Sequence, residues 1–195
     1  MNSQYDMVFY PQDLEYAPGD LNELLSNLKT AGFIGDSFAV PSSHKKTEQQ
    51  GYLIGEDFLK LITFLGCSPH IELTPSEQKT DGGNFCYIEI LQFQKPKYFK
   101  GLNHPKCSCP QCKSRVTKAL PELEQWIPDS QWVSCPKCRQ NTLTENLNWR
   151  HSTGFGQFFI VVHSIYPNEA VPTDKLMNLL RSVSHKDWDY FYYEQ

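Results

Sequence analysis

The sequence predicts an α+β fold with a mixed or antiparallel sheet, about three helices and one inserted cysteine-rich segment. Two strongly apolar segments, 84–93 and 157–165, have the composition of central strands. Amphipathic helical patterns lie outside these segments, and two matched cysteine pairs lie between them. We therefore predict that residues 1–94 and 151–195 form an α+β body, into which residues 95–150 insert as a separate module.

In the N-terminal part, helical periodicity and turn residues predict the elements. Residues 1–19 are expected to be irregular, and the polar residues 41–50 are expected to form a loop. A first helix begins at Asp20, which has the spacing of a capping box with Glu23, and it ends at Gly32. Its apolar face consists of Leu21, Leu24, Leu25 and Leu28.

The remaining elements follow from the same signals. A second helix is predicted over residues 56–65, followed by a short strand over 71–73. The core-facing residues of this helix are expected to be Phe58, Leu61, Ile62 and Leu65. After the second apolar strand, residues 167–172 are expected to be a loop, and Thr173 is expected to cap a third helix. The aromatic residues 188–193 predict a terminal strand.

The cysteine pattern predicts a tetrahedral metal site. Two turns of the form C-P-x-C, Cys109 to Cys112 and Cys135 to Cys138, are separated by 22 residues. Each such turn directs two thiolates to one side, and four thiolates surround one ion at roughly 2.3 Å. We predict one structural Zn²⁺, or iron in the same cage, in an inserted zinc ribbon. A complete set of thiolates leaves no open position for a catalytic water.

The other cysteines leave one ambiguity. Cys107 could replace Cys109 as a ligand, because the two residues are separated only by Ser108. Cys109 is preferred, since only this residue completes a turn that mirrors the second pair, and Cys107 is then expected to face solvent. Cys67 and Cys86 lie beside apolar runs and are expected to be buried core thiols.

Positive charge is concentrated in the inserted module. Residues 95–150 contain ten basic and four acidic residues, whereas the whole chain has a formal net charge of −4. Basic residues interleaved with aromatic ones are a pattern that binds single-stranded nucleic acid. The alternative, favoured by the overall acidity, is a solvated segment whose charges balance the acidic body. The candidate binding surface consists of Lys97, Tyr98, Lys100, Lys113, Arg115, Lys118 and Trp132.

Catalytic patterns are not found in the sequence. The six histidines form no paired motif, and His151 is expected to be a loop histidine. The carboxylates of Asp81, Asp187 and Asp189 are expected to be exposed. Seven cysteines, an odd number, argue against a secreted disulfide scaffold, and the longest apolar run is too short for a membrane span. We therefore expect a cytoplasmic protein with no membrane partner.

Six further blocks accompany the cysteine turns, at residues 64–73, 84–88, 149–150, 154–156, 166–172 and 188–192. Together they resemble a family of uncharacterised, mainly proteobacterial proteins with a central zinc ribbon, over about residues 20–193. The resemblance implies a bacterial cytosolic protein and the zinc site, and it implies no activity. One departure is that Lys113 and Arg139 follow the two turns, where ribbons often have glycine.

The function expected from these patterns is that of a non-catalytic protein acting through protein–protein interaction. A toxin-neutralising, immunity-type role is one concrete form of it. The alternative is nucleic-acid binding through the basic, aromatic module. A third hypothesis is an enzyme with an unrecognised site in the α+β body. The oligomeric state is not predicted.

Overall fold

The computed structural model describes residues 5–40, 49–65, 72–73, 85–102, 106–117, 120–167 and 169–194. Within these ranges the chain has three α-helices and ten strands, and the strands of its sheets pair antiparallel, which confirms the α+β class. In chain order they are β1 (Tyr5–Pro11), α1 (Leu21–Thr30), β2 (Ile34–Val40), β3 (Gln49–Ile54), α2 (Phe58–Leu61), β4 (Ile62–Phe64), β5 (Tyr87–Lys100), β6 (Trp132–Ser134), β7 (Asn141–Leu143), β8 (Thr153–Val162), β9 (Ala170–Pro172), α3 (Asp174–Ser184) and β10 (Trp188–Glu194).

A six-stranded sheet with the order β10-β1-β8-β5-β3-β2 forms the body. The two apolar strands predicted to be central, β5 and β8, are neighbours in its middle, although β5 extends to Lys100. Smaller two-stranded sheets pair β4 with β9 and β6 with β7. None of the helices in the described part of the chain combines the length and the apolar character that crossing a bilayer requires.

Helices α1 and α3 pack their apolar residues into the main core together with residues from the sheet. The carboxylate of Asp20 accepts the N–H of Asn22 at 2.8 Å, as expected of an N-cap. Thr173 caps α3 in the same way, because its hydroxyl oxygen accepts the N–H of Leu176 at 3.3 Å. Both predicted caps are therefore confirmed, and Gly32 follows α1 with a φ of 70°.

The face of the sheet that is opposite the helices carries a second apolar cluster, near an irregularity in the pairing of β5 with β8. Their register shifts between Gln92 and Lys97, and pairing then continues to Lys100 and Thr153. Such irregularities bend and twist a strand. Beyond this irregularity, the ring centroids of Phe99 and Phe159 lie 4.7 Å apart, and both residues belong to this cluster. Gly154 allows the Phe191 ring to pack closely against the backbone of β8, since a Cβ at position 154 would lie 2.4 Å from Phe191 Cε1.

Two predictions of irregular structure are wrong. Residues 1–19 contain β1, a buried strand that pairs with both β8 and β10. Gln49 and Gln50, the last two residues of the loop predicted over 41–50, belong to β3, and residues 41–48 lie outside the described ranges. Neither β2 nor β3 was predicted, because polar and glycine residues interrupt the apolar alternation of both strands.

The predicted second helix is also wrong in length. Only Phe58–Leu61 is helical, and Ile62–Phe64 forms β4 instead. This strand pairs with β9, which occupies part of the loop predicted over 167–172. Leu65, predicted to face the core, is 69 % exposed. Strand pairing with a distant segment therefore overrides the local helical pattern. Of the strand predicted over 71–73, only Glu72 and Leu73 are described, and Glu72 forms an isolated bridge with Phe85.

Candidate metal centre

The structure brings the four predicted cysteine sulfurs together. All of them lie within 4.8 Å of one another. The Cys112 and Cys135 sulfurs are 3.5 Å apart, and those of Cys109 and Cys138 are 3.7 Å apart. Four sulfurs at 2.3 Å from a tetrahedral ion are separated by about 3.8 Å, whereas a disulfide bond measures about 2.05 Å. The spacing fits four thiolates that share one metal ion.

Both cysteine turns are closed by the same pair of backbone hydrogen bonds. In the first turn, the Cys109 carbonyl accepts the Lys113 N–H at 3.0 Å, and the Cys109 N–H donates to the Ser114 carbonyl at 2.9 Å. The second turn repeats both bonds at 2.9 Å with Cys135, Arg139 and Gln140. Equal turns direct their thiolates in equal ways, so two of them form one cage.

Each turn ends on a residue in the left-handed backbone region. Lys113 and Arg139 occupy equivalent positions, and each has a φ of 60°. This conformation costs about 1 kcal/mol for a residue with a Cβ and much less for glycine. The departure from glycine noted in the sequence therefore lowers the stability of the turns without disturbing the ligands.

Donor groups within the turns point at the sulfurs. The hydroxyl and N–H of Ser114 lower the pKa of Cys112 to about 6. N–H groups of Cys138 and Lys137 lower the pKa of Cys135 despite partial burial of its thiol. At Cys138 the Gln140 N–H also lowers the pKa, but loss of hydration and the neighbouring sulfurs outweigh it and raise the pKa to about 12. Crowded thiolates oppose one another in this way, and a divalent cation would relieve the opposition.

Short backbone pairings support the two turns. The second turn connects β6 to β7, in which Ser134 pairs with Asn141. The first turn is held against the segment that follows the β6–β7 hairpin. The Ser108 N–H donates to the Asn148 carbonyl at 2.9 Å, and the Asn148 N–H donates to the Ser108 carbonyl at 3.0 Å. The relative position of the two turns is thus set by tertiary pairing and not by the cysteines alone.

Cys107 is not one of the four cage residues, and the prediction that it faces solvent is wrong. The residue is only 2 % exposed, and burial raises its pKa despite a hydrogen bond with Thr117. It belongs to an apolar cluster that also contains Val116 and Trp149. Ser108 is held in an extended bridge, so that Cys107 and Cys109 point to the same, inner side of the chain. Cys86 is buried, as predicted, and Cys67 lies outside the described residues.

The module and the body share this apolar cluster. Phe155 of β8 lies between the two parts, with ring centroids at 4.8 Å from Trp126, 5.3 Å from Trp149 and 5.5 Å from Tyr98. Cage residues Cys109 and Cys135 are part of the same cluster. The cluster that contains these cysteines therefore packs against Phe155 and also against Leu14. The division into body and module at residues 94 and 150 stays a prediction.

Two of the candidate binding residues, Lys97 and Tyr98, lie on opposite sides of β5. Lys97 lies over the Phe93 ring at 5.3 Å, whereas Tyr98 packs against Phe155 on the opposite side of β5. Tyr98 is half-buried, and this burial raises its pKa. The exposed members are Lys97, Lys100, Lys113, Arg115 and Trp132. Lys118 lies outside the described residues.

A buried charge cluster was not predicted. His163, which follows β8, has its Nδ1 3.1 Å from a carboxylate oxygen of Asp6 and its Nε2 3.0 Å from one of Glu89. The ring stacks on Tyr87 at 4.3 Å. Burial lowers the pKa of His163, but the hydrogen bonds and charges of both carboxylates outweigh it and raise the pKa to about 9. The members come from three strands far apart in the sequence, so no local pattern could reveal them.

His151 forms a second pair that the sequence did not reveal. Its Nδ1 is 2.8 Å from a carboxylate oxygen of Asp189, a residue expected to be exposed but in fact half-buried. The hydrogen bond with Asp189 raises the pKa of His151. Within the described ranges, the four cysteines are the one group of three or more ligating side chains placed to share a metal ion.

Comparisons of the chain with models of protein families, with curated proteins and with solved structures find no match. The resemblance to bacterial zinc-ribbon proteins therefore stays a prediction. The case for a function rests on the cysteine cage and on the surface around it.

Proposed function

We propose that this is a non-catalytic binding protein in which one structural Zn²⁺ holds a protein-binding module in its folded form. The four-sulfur cage is the observation that carries the proposal. Four thiolates favour zinc or iron over harder cations, and they leave no coordination position for water or substrate. Paired C-P-x-C turns favour zinc. Bound iron would give the protein a visible absorption that zinc lacks.

The surroundings of the cage support a structural role for the ion. The apolar cluster of the module is small, and two of the cage cysteines are part of it. In modules of this kind, the free energy of metal binding contributes directly to folding. Zinc would fix the β6–β7 hairpin against the first turn, and with it the surface of the hairpin.

A protein partner is favoured by the exposed apolar residues of the module. Trp132 of β6 is 61 % exposed, while the next residue, Val133, is buried beneath the hairpin. Ile127 is 62 % exposed. Large exposed side chains of this kind, tryptophan above all, are concentrated in protein interfaces. The exposed acids Glu124 and Asp129 in the same segment also favour a protein, since nucleic-acid interfaces are strongly positive.

The partner we favour is a folded protein, and an immunity-type role is one concrete form. Nucleic acid is the second candidate, on one specific observation. Four exposed cations, Lys113, Arg115, Lys137 and Arg139, lie in or next to the cysteine turns, and none forms an ion pair with a described residue. Four thiolates around Zn²⁺ leave two negative charges, which offset part of this positive charge.

Elemental analysis of the purified protein tests the metal. We expect one zinc per chain, its loss in the Cys135→Ser variant, and its retention in the Cys107→Ala variant. The control removes a buried cysteine of the same cluster that lies outside the cage. Zinc that persists in Cys135→Ser, or disappears from both variants, would contradict the assignment.

The partner is tested in two steps. A protein captured by the zinc-loaded chain is identified and purified, and its affinity is measured by calorimetry. Trp132→Ala should weaken binding about 30-fold, or about 2 kcal/mol, whereas Tyr166→Ala, which truncates an exposed aromatic residue of the body, should not. A salt-sensitive mobility shift of single-stranded nucleic acid that Arg115→Glu abolishes would instead support the second candidate.

A further inference from the structure

We propose that the zinc cage is a redox switch, in which hydrogen peroxide oxidises Cys138, a disulfide forms with Cys109, and Zn²⁺ is released. This inference rests on the proposed zinc site. The four sulfurs differ in their access to solvent. Cys138 is exposed and Cys112 is half-buried, whereas Cys109 and Cys135 are 1 % and 3 % exposed. With Zn²⁺ bound all four sulfurs are thiolates, so access to solvent distinguishes them, and a small oxidant meets Cys138 first.

The distances between the sulfurs indicate the pairing. Cys138 Sγ is 3.7 Å from Cys109 Sγ, and Cys112 Sγ is 3.5 Å from Cys135 Sγ. Both contacts join the first turn to the second. Closing either pair to a disulfide length of about 2.05 Å requires a movement of under about 2 Å. Oxidation should therefore link the two turns to each other.

The chemistry balances with peroxide as the named oxidant. The Cys138 thiolate attacks one peroxide oxygen, the O–O bond breaks, and the departing hydroxide takes up a proton to leave as water. The resulting sulfenic acid is attacked by the Cys109 thiolate, the S–S bond forms, and the S–O bond breaks to release a second water after protonation. Two electrons pass from the two sulfurs to peroxide. The zinc keeps its charge and leaves because two of its four ligands are lost.

The switch would act on the proposed binding surface. Trp132 begins β6, which leads directly into the turn that carries Cys135 and Cys138. Removal of zinc frees this hairpin from the cage, while a disulfide from Cys109 to Cys138 keeps the turns covalently joined. The module would therefore be loosened without being fully unfolded, and reduction with fresh zinc would restore it.

The test uses zinc-loaded, reduced full-length protein in a Cys67→Ser background, which removes a cysteine outside the described residues. Peroxide is titrated while a chromophoric chelator reports free zinc, and peptide mapping identifies the disulfides. We expect one zinc per chain to be released together with a disulfide between Cys109 and Cys138. The buried thiols Cys86 and Cys107 should remain reduced and serve as internal controls.

A matched pair of variants tests the role of access. Three cysteines and one histidine also hold zinc tetrahedrally. Cys138→His removes the exposed thiolate and should slow zinc release at least tenfold. Cys112→His alters the other turn, leaves Cys138 in place, and should release zinc at close to the original rate.

Several outcomes would overturn the switch. These are zinc that stays bound under peroxide, a disulfide within one turn, and sulfinic acid without any disulfide. If Cys138→His binds zinc poorly, peptide mapping of the disulfides in the protein with all four cage cysteines still tests the switch. A reduced protein that contains no zinc would overturn the metal site and the switch together, whereas a zinc-loaded protein that resists peroxide would overturn only the switch.

Discussion

Replacement of His163 by glutamine should remove a pH-dependent contribution to stability. The imidazole lies between the carboxylates of Asp6 and Glu89, so it joins β1 and β5 at the end of β8. The charged form of the ring is the one that both carboxylates stabilise. Glutamine can keep one hydrogen bond but cannot supply the positive charge.

The size of the effect follows from the pKa. In the folded protein the pKa of His163 is raised from 6.5 to about 9. One pKa unit corresponds to about 1.4 kcal/mol, so the charged ring contributes on the order of 3 kcal/mol. Because the folded pKa lies above the unfolded one, this stability is fully present below pH 6.5 and is lost as the pH rises through about 9.

Urea unfolding between pH 6 and pH 10 measures the effect. The unaltered protein should have a higher free energy of unfolding than His163→Gln. This difference between the two proteins should be about 3 kcal/mol larger at pH 6 than at pH 10. Groups remote from His163, the cage thiols among them, contribute equally in both proteins and cancel in this difference. His185→Gln, which changes an exposed histidine outside this cluster, is the matched control.

The unaltered protein provides a second measurement of the same effect. A proton NMR titration of the His163 ring in the folded protein should give a midpoint near pH 9. A midpoint at or below 6.5 would show that burial outweighs the two carboxylates. A difference between the two proteins that does not vary with pH would show that His163 contributes by packing alone.

Three further predictions concern packing, backbone conformation and capping. Phe155→Ala should lower the free energy of unfolding by about 3–5 kcal/mol, because three aromatic rings lose their shared contact, and a loss below about 1 kcal/mol would contradict this. Arg139→Gly should stabilise the zinc-loaded protein against chelator by about 1 kcal/mol, given the φ of 60°, and weaker zinc retention would disprove it. Asp20→Ala should cost about 1 kcal/mol in urea unfolding through loss of the N-cap of α1, and an unchanged midpoint would count against the cap.

Much of the candidate site could be predicted because its information is local. Each C-P-x-C turn closes within six residues, through backbone bonds that the sequence spacing alone permits. The N-caps Asp20 and Thr173 likewise act within three residues of their own helices. The apolar composition of β5 and β8 indicated central strands, since a strand buried on both faces leaves few positions for polar residues.

Other elements could not be predicted because distant partners define them. The segment Ile62–Phe64 continues an amphipathic helical pattern, yet it becomes β4 because β9 offers it backbone bonds. Strand β1 lies in a segment expected to be irregular, and its partners β8 and β10 lie at the other end of the chain. Local propensity is a weak signal wherever such pairing is available.

The sequence by itself determined the two cysteine turns and the helix caps, since each depends on contacts between near neighbours, and the apolar composition of β5 and β8 indicated the two central strands. Only the tertiary structure decided that Cys107 is buried, that Phe155 joins module to body, and that His163 lies between two carboxylates. These features arise where strands remote in the chain become adjacent. The stability of these contacts depends on the low polarity and close packing of the protein interior. That interior exists only after the sheet has formed, so no single segment contains it.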